Sequence, residues 1–118
     1  RSIMSGFKTN YTLEERVVES KKIMAKYPER YPVIVEKTSS CQLKSINKNK
    51  FLVCKDMTMS QFVFMIRKRI DLDPSQSLFV LVNNRIASGN VTMAQVYEKF
   101  KDEDGFIYMV YTSENTFG

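Results

Sequence analysis

Three stretches of the chain repeat apolar residues at helical spacing, and each is introduced by the same device. Thr12/Glu15, Thr58/Gln61 and Thr92/Gln95 all read Thr-x-x-Glu or Gln. In that spacing the two side chains satisfy backbone N–H groups that the first helical turn leaves unpaired. The first stretch predicts a helix over Leu13–Lys26, stopping ahead of Pro28 because a residue before proline is pushed out of helical geometry. Leu13, Val17, Ser20, Met24 and Tyr27 fall on one stripe of it, with Glu19 and Ile23 beside the stripe. The second predicts Met59–Ile70, burying Phe62, Val63, Ile66 and Ile70 and turning Phe64 and Met65 elsewhere. The third, Met93–Phe100, sets Met93, Val96, Tyr97 and Phe100 on one face.

Between the helices lie shorter apolar runs read as strands: Pro32–Val35, Lys50–Cys54, Leu78–Val82 and Phe106–Tyr111. The last two are apolar on successive residues, the pattern of strands covered on both faces. Asn83-Asn84 reads as a turn, and the polar stretch Thr38–Asn49 as the loop of a hairpin. The order is helix, strand, strand, helix, strand, helix, strand. A hairpin, a crossing helix and a central last strand predict an α+β fold, a ubiquitin-like β-grasp roll preceded by a helix.

Composition changes little in this picture. At 118 residues the chain is one domain with enough material for a core. No apolar run nears the roughly 20 residues that span a bilayer, and no secretory leader is expected. Arg1-Ser2 reads as a cloning remnant. Cys41 and Cys54, with no histidine in the chain, suggest reduced thiols rather than a metal site. Charge is uneven: residues 1–85 hold 16 Lys/Arg against 8 Asp/Glu, and residues 86–118 hold 2 against 5. A body of +8 before a stretch of −3 suits acidic partners, or simply a solvated surface.

The residues bear on three kinds of function. Catalysis is disfavoured: without histidine neither a Ser/His/Asp nor a Cys/His nucleophile can form. The four glycines, Gly6, Gly89, Gly105 and Gly118, are too scattered for a phosphate loop. Asp102, Glu103 and Asp104 cluster, but adjacent carboxylates at a turn are expected to face solvent. Specific nucleic-acid binding is disfavoured because Arg67-Lys68-Arg69 splays around its helix. Peptide capture fits better. Ile23, Phe64 and Met65 are apolar yet lie off the core stripes, and Lys50–Val53 has the look of an edge strand. A strand edge flanked by hydrophobic pockets is what β-augmentation requires. Lys48, Lys50 and Arg69 would favour an acidic peptide. The alternative is that these residues merely complete the core.

Several segments closely resemble the autophagy ubiquitin-like modifiers, the family of the GABA-receptor-associated protein and the microtubule-associated-protein light chains. They are Lys26-Tyr27-Pro28-Glu29-Arg30-Tyr31-Pro32-Val33-Ile34-Val35-Glu36-Lys37, Lys50–Val53, Phe62–Ile70, Val82-Asn83-Asn84, Tyr97–Tyr108 and the ending Thr116-Phe117-Gly118. The resemblance covers about residues 7–118. It implies a second, earlier helix near Gly6–Asn10, a leading segment over 1–6 that is disordered or a cloning remnant, a ubiquitin-like domain with an N-terminal helical extension over 7–112 and a flexible conjugation tail over 113–118. It implies that Gly118 is joined to phosphatidylethanolamine by activating and conjugating enzymes and released by a cysteine protease. The location would be the cytoplasm, and the autophagosome membrane when lipidated.

The family's peptide groove also maps onto this chain. Its aromatic-accepting pocket would be Glu19, Ile23, Pro32, Ile34, Lys50, Leu52 and Phe106. Its aliphatic pocket would be Phe51, Val53, Met57, Phe62, Met65 and Ile66, with Arg69 nearby. Ligands would be cargo-receptor peptides reading aromatic-x-x-aliphatic with acidic flanks. No cofactor, metal or enzymatic activity is implied. Cys54 departs from the proline many members carry and restores a backbone donor. Met57 and Met65 replace commoner leucines, which should make the pocket more adaptable. A non-conjugated peptide-binding adaptor in trafficking is the alternative reading.

Overall fold

The computed structural model describes residues 6–38, 41 and 43–113. All three capping boxes form. Thr12, Thr58 and Thr92 accept from the backbone N–H of Glu15, Gln61 and Gln95, whose side chains return the bond to the threonine N–H. The resulting helices are α2 (Leu13–Lys26), α3 (Met59–Arg69) and α4 (Met93–Phe100), after a short α1 (Gly6–Asn10). The α1 helix occupies the Gly6–Asn10 stretch where the family resemblance implies an earlier helix. The strands are β1 (Arg30–Lys37), β2 (Lys50–Cys54), β3 (Phe79–Val82), β4 (Arg85–Ile86) and β5 (Ile107–Thr112).

They form one sheet in the order β2-β1-β5-β3-β4, with β5 parallel to β1 and antiparallel to β3. The last strand is central, as its unbroken apolar sequence requires. Alternation along the strands divides the interior in two. Val33, Val35, Phe51, Val53, Ile107, Met109 and Tyr111 meet Met59, Phe62 and Ile66 of α3 and Met93, Val96 and Tyr97 of α4. Ile34 and Phe106 turn to the other face, where they pack with Phe7 of α1, Ile23 of α2 and Tyr108. The fold is the ubiquitin-like α+β roll expected, its open face closed by α1 and α2.

Several expectations need correction. Leu13 and Tyr27 are 41% and 38% exposed, because only the middle of α2 crosses the sheet. The close approach is at Ser20, whose hydroxyl donates to the Asp104 carbonyl at 2.5 Å. A Cβ on Gly105 would fall 2.5 Å from that hydroxyl, and the backbone there has φ +92°, which glycine adopts without strain. Asp104 does not face solvent. It is buried, accepting from the Arg16 guanidinium and the Tyr108 hydroxyl at 2.5 Å each and from the Phe106 N–H at 2.8 Å. Asp102 bonds the Lys8 ammonium at 2.6 Å. Asp102 and Asp104 are therefore the clamp that fastens α1 and α2 to the sheet, while Glu103 is exposed as expected.

The polar hairpin loop sends Cys41 and Leu43 into the core. Strand β4 was too short for any periodicity to register; Asn83 and Asn84, both at positive φ, turn the chain tightly into it. Ile70 caps α3 rather than extending it, and Asp71 at φ 52° ends the helix. Phe64 stays 60% exposed with the Lys68 ammonium 5.1 Å from its ring centre, and nothing in the fold requires an aromatic there.

Candidate functional site

The outer edge of the sheet at β2 is where the sequence-derived candidates converge. Its backbone orientation follows from two hydrogen bonds at its ends. Val35 N–H donates to the Asn49 carbonyl at 2.8 Å, and Lys55 N–H donates to the Glu29 carbonyl at 3.2 Å. In an antiparallel ladder, pairs that exchange both bonds recur at every second residue. Val33–Phe51 and Tyr31–Val53 are therefore bonded pairs in the observed register. The N–H and C=O groups of Lys50, Leu52 and Cys54 point away from β1. Pro32, which has no N–H, stands opposite Leu52 where none is needed. Among the described residues no strand lies beyond β2.

Side chains alternate about this edge. Lys50 and Leu52 face α2, where an open cleft of about 490 Å³ is lined by Glu19, Ile23, Asn47, Lys48, Asn49, Lys50 and Leu52. Behind Ile23, the buried Ile34 and Phe106 form its apolar backing, with Phe7 edge-on to Phe106 at 5.0 Å. Lys50 is ion-paired with Glu19 across the cleft. Partial burial pushes the Lys50 ammonium below its ordinary pKa. Both charges are about one-third exposed, so solvent weakens the pair and it can open at small cost.

Phe51 and Val53 face α3. Phe51, Val53, Phe62 and Ile66 are buried, and Phe51 meets Phe62 edge-on at 6.4 Å. Met57 and Met65 are only half-buried at the rim of this second apolar patch. Met57 is held between the helices: its carbonyl accepts from Met93 N–H at 2.7 Å, and Met59 N–H donates to the Val91 carbonyl at 2.8 Å. At the other end the Arg69 guanidinium and Lys48 ammonium lie 5.3 and 5.5 Å from the Phe51 ring centre.

The expected site residues thus divide by depth. Pro32, Ile34, Phe51, Val53, Phe62, Ile66 and Phe106 are buried and form the walls. Glu19, Ile23, Lys50, Leu52, Met57 and Met65 are half-buried, and Lys48 and Arg69 are exposed. Gly118 lies outside the described residues. Sequence reasoning overlooked Arg30, whose guanidinium donates to the outward Leu52 carbonyl at 3.3 Å and blunts the free edge. It also overlooked Asn47 and Asn49. Arg30 and Asn49 follow from the strand register, which periodicity does not give, and Asn47 from the path of the loop.

The chain was also compared with known proteins. A family model described as "Autophagy protein Atg8 ubiquitin like" matches residues 15–118. Autophagy-related protein 8i of Arabidopsis thaliana is 50% identical over 98% of this chain and 100% of its own length. Autophagy-related protein 8B of Oryza sativa subsp. japonica is 47% identical over 97% of this chain and 96% of its own. The crystal structure of Trypanosoma brucei ATG8 superposes with a TM-score of 0.90 at 40% identity, covering 98% of this chain and all of that one.

Proposed function

Because this chain belongs to the Atg8 family of ubiquitin-like autophagy proteins, we propose that it is a protein modifier and adaptor rather than an enzyme. It is conjugated through Gly118 to phosphatidylethanolamine and recruits cargo receptors to the forming autophagosome. Its partners are peptides with an aromatic and an aliphatic residue separated by two spacers, together with the activating and conjugating enzymes and the cysteine protease of the conjugation cycle. No helix among the described residues is long and apolar enough to cross a membrane, so a covalent lipid would supply the attachment.

The observation that carries the peptide reading is an open strand edge with an apolar hollow on each face. Residues three apart on an added strand point to opposite faces of the sheet. An aromatic at one position enters the cleft beside Ile23 and Leu52, and an aliphatic residue three later enters the patch beside Val53 and Met65. The outward backbone groups of β2 hold the peptide between them. A strand running parallel to β2 meets the two hollows in this order. Lys48, Lys50 and Arg69 attract acidic flanks, and the Arg30 guanidinium swings off the Leu52 carbonyl when the peptide's own N–H replaces it.

The conjugation half rests on family membership and on the chemistry of glycine, which with no side chain can thread a narrow enzyme channel. Expression in autophagy-competent cells, with the protein's mass measured by spectrometry, tests it. A phosphatidylethanolamine adduct is expected, and it should vanish in Gly118→Ala. A chain that binds peptides yet never gains that mass is the non-conjugated trafficking adaptor instead.

A further inference from the structure

The docking edge continues past Leu52. In the observed register Cys54 has the same parity as Lys50 and Leu52, so its N–H also points away from β1. Its carbonyl does not remain open: it accepts from Met57 N–H at 3.1 Å as the chain turns toward α3. The edge therefore offers both backbone groups at Lys50, both at Leu52 once Arg30 releases the carbonyl, and then a donor alone at Cys54.

We infer that the Cys54 N–H is the terminal docking donor, and that it selects peptides whose backbone is still extended at their aliphatic anchor. This rests on the peptide-docking function proposed above and deepens it. In a parallel pairing each edge residue bonds the two peptide residues that flank its opposite number. The peptide residue donating its N–H to the Leu52 carbonyl is then the one whose own carbonyl reaches Cys54 N–H. Its side chain lies on the Val53 face, so it is the aliphatic anchor itself, and a peptide that curls into a helix there forfeits the last bond. The Met57 bond to the Cys54 carbonyl closes the edge, so no further pairing follows. The residue acts through its main chain, and its thiol takes no part.

Backbone amide exchange read by NMR, with and without a saturating acidic peptide carrying tryptophan-x-x-leucine and three residues beyond, tests this on the unaltered protein. Phe51 and Val53 amides, bonded to β1, should be slow throughout. Lys50, Leu52 and Cys54 amides should exchange fast in the free protein and slow together on binding. Protection at Lys50 and Leu52 with Cys54 still fast would overturn the inference and leave the docking function standing. Protection at none of the three would overturn both.

A second arm compares Cys54→Ala, which keeps the donor, with Cys54→Pro, which removes it. One neutral hydrogen bond corresponds to about fivefold in affinity. The extended peptide should bind Cys54→Pro about fivefold more weakly than Cys54→Ala, while a peptide ending in 3-methylbutylamide in place of leucine, which keeps the N–H and the isobutyl group but has no carbonyl, binds the two alike. An equal loss for both peptides would mean that proline distorts the edge, and would count against a specific donor role.

Discussion

Replacing Asp104 with alanine should be among the most costly single changes in this protein. The carboxylate is fully buried and serves three donors: the Arg16 guanidinium, the Tyr108 hydroxyl and the Phe106 N–H. The Arg16 side chain is itself only 11% exposed, so removing its partner strands a mostly buried charge. Breaking such a pair from one side costs about 3–5 kcal/mol. The orphaned neutral donors, at about 1–3 kcal/mol each, overlap with that figure and do not simply add. Against a total stability of about 5–15 kcal/mol, the loss is a third or more, and the melting temperature should fall by about 10–20 °C. Urea unfolding followed by circular dichroism gives the free energy directly. Tyr108→Phe, which removes one donor and leaves the ion pair, should cost about 1.5–3 kcal/mol. In the double variant with Arg16→Met, the loss should be smaller than the sum of the two single losses by at least about 1 kcal/mol, since the stranded charge is gone. A cost below about 1 kcal/mol for Asp104→Ala, or strict additivity with Arg16→Met, would refute the clamp.

Other consequences are as specific. Burial opposes ionisation of Asp102, but its bonds to Lys8 and to the Asp104 N–H prevail and hold its pKa below the usual carboxylate value. A depressed folded-state pKa stabilises above the ordinary value near 3.8 and is lost as pH falls through the folded one. Stability should therefore drop on acidification below about pH 4, and less steeply in Lys8→Gln; equal slopes in a urea-by-pH series would contradict the pairing. Burial raises the phenols of Tyr97, Tyr108 and Tyr111, with Asp104 adding to the effect at Tyr108 and Tyr97. Their contribution is complete below the ordinary value of 10 and is lost as pH climbs beyond it. In an ultraviolet titration these three should ionise above the ordinary phenol range, together with alkaline unfolding; their ionisation near pH 10 in the folded protein would count against it. Leu52→Ala should weaken peptides chiefly through their aromatic residue, and Met65→Ala chiefly through their aliphatic one. Each should cost about tenfold by calorimetry, or about 1.4 kcal/mol; a loss that ignores which peptide anchor is present would mean that the hollows are not separate.

Much of the fold was legible because local rules and tertiary packing agree here. Each capping box announced a helix, and the apolar runs of β3 and β5 announced an interior position. Legibility failed where the determining contact lies far along the chain. Ser20 and Gly105, 85 positions apart, set how closely α2 approaches the sheet, and neither is notable within its own segment. Asp104 looked solvated beside Asp102 and Glu103, since nothing local shows Arg16 arriving from α2. The groove was legible in outline, as apolar residues off the core stripes. Which of its residues are wall and which are rim was not, because that depends on strand register and on the tilt of α3. The outward N–H of Cys54 belongs to the same category. Gly118 was chemically mute in its own segment, and the conjugation proposed for it rests on the family match.

The peptide's spacing tests the docking geometry most directly. Three acidic peptides, identical but for one, two or three residues between tryptophan and leucine, would be titrated into the protein by calorimetry. Two spacers set the anchors three apart and on opposite faces of the added strand; one or three spacers set them two or four apart and on the same face. The two-spacer peptide should bind at least tenfold more tightly than either neighbour. Equal affinity for all three would mean that no peptide adds to the edge at Lys50, Leu52 and Cys54 with an anchor on each face of the sheet.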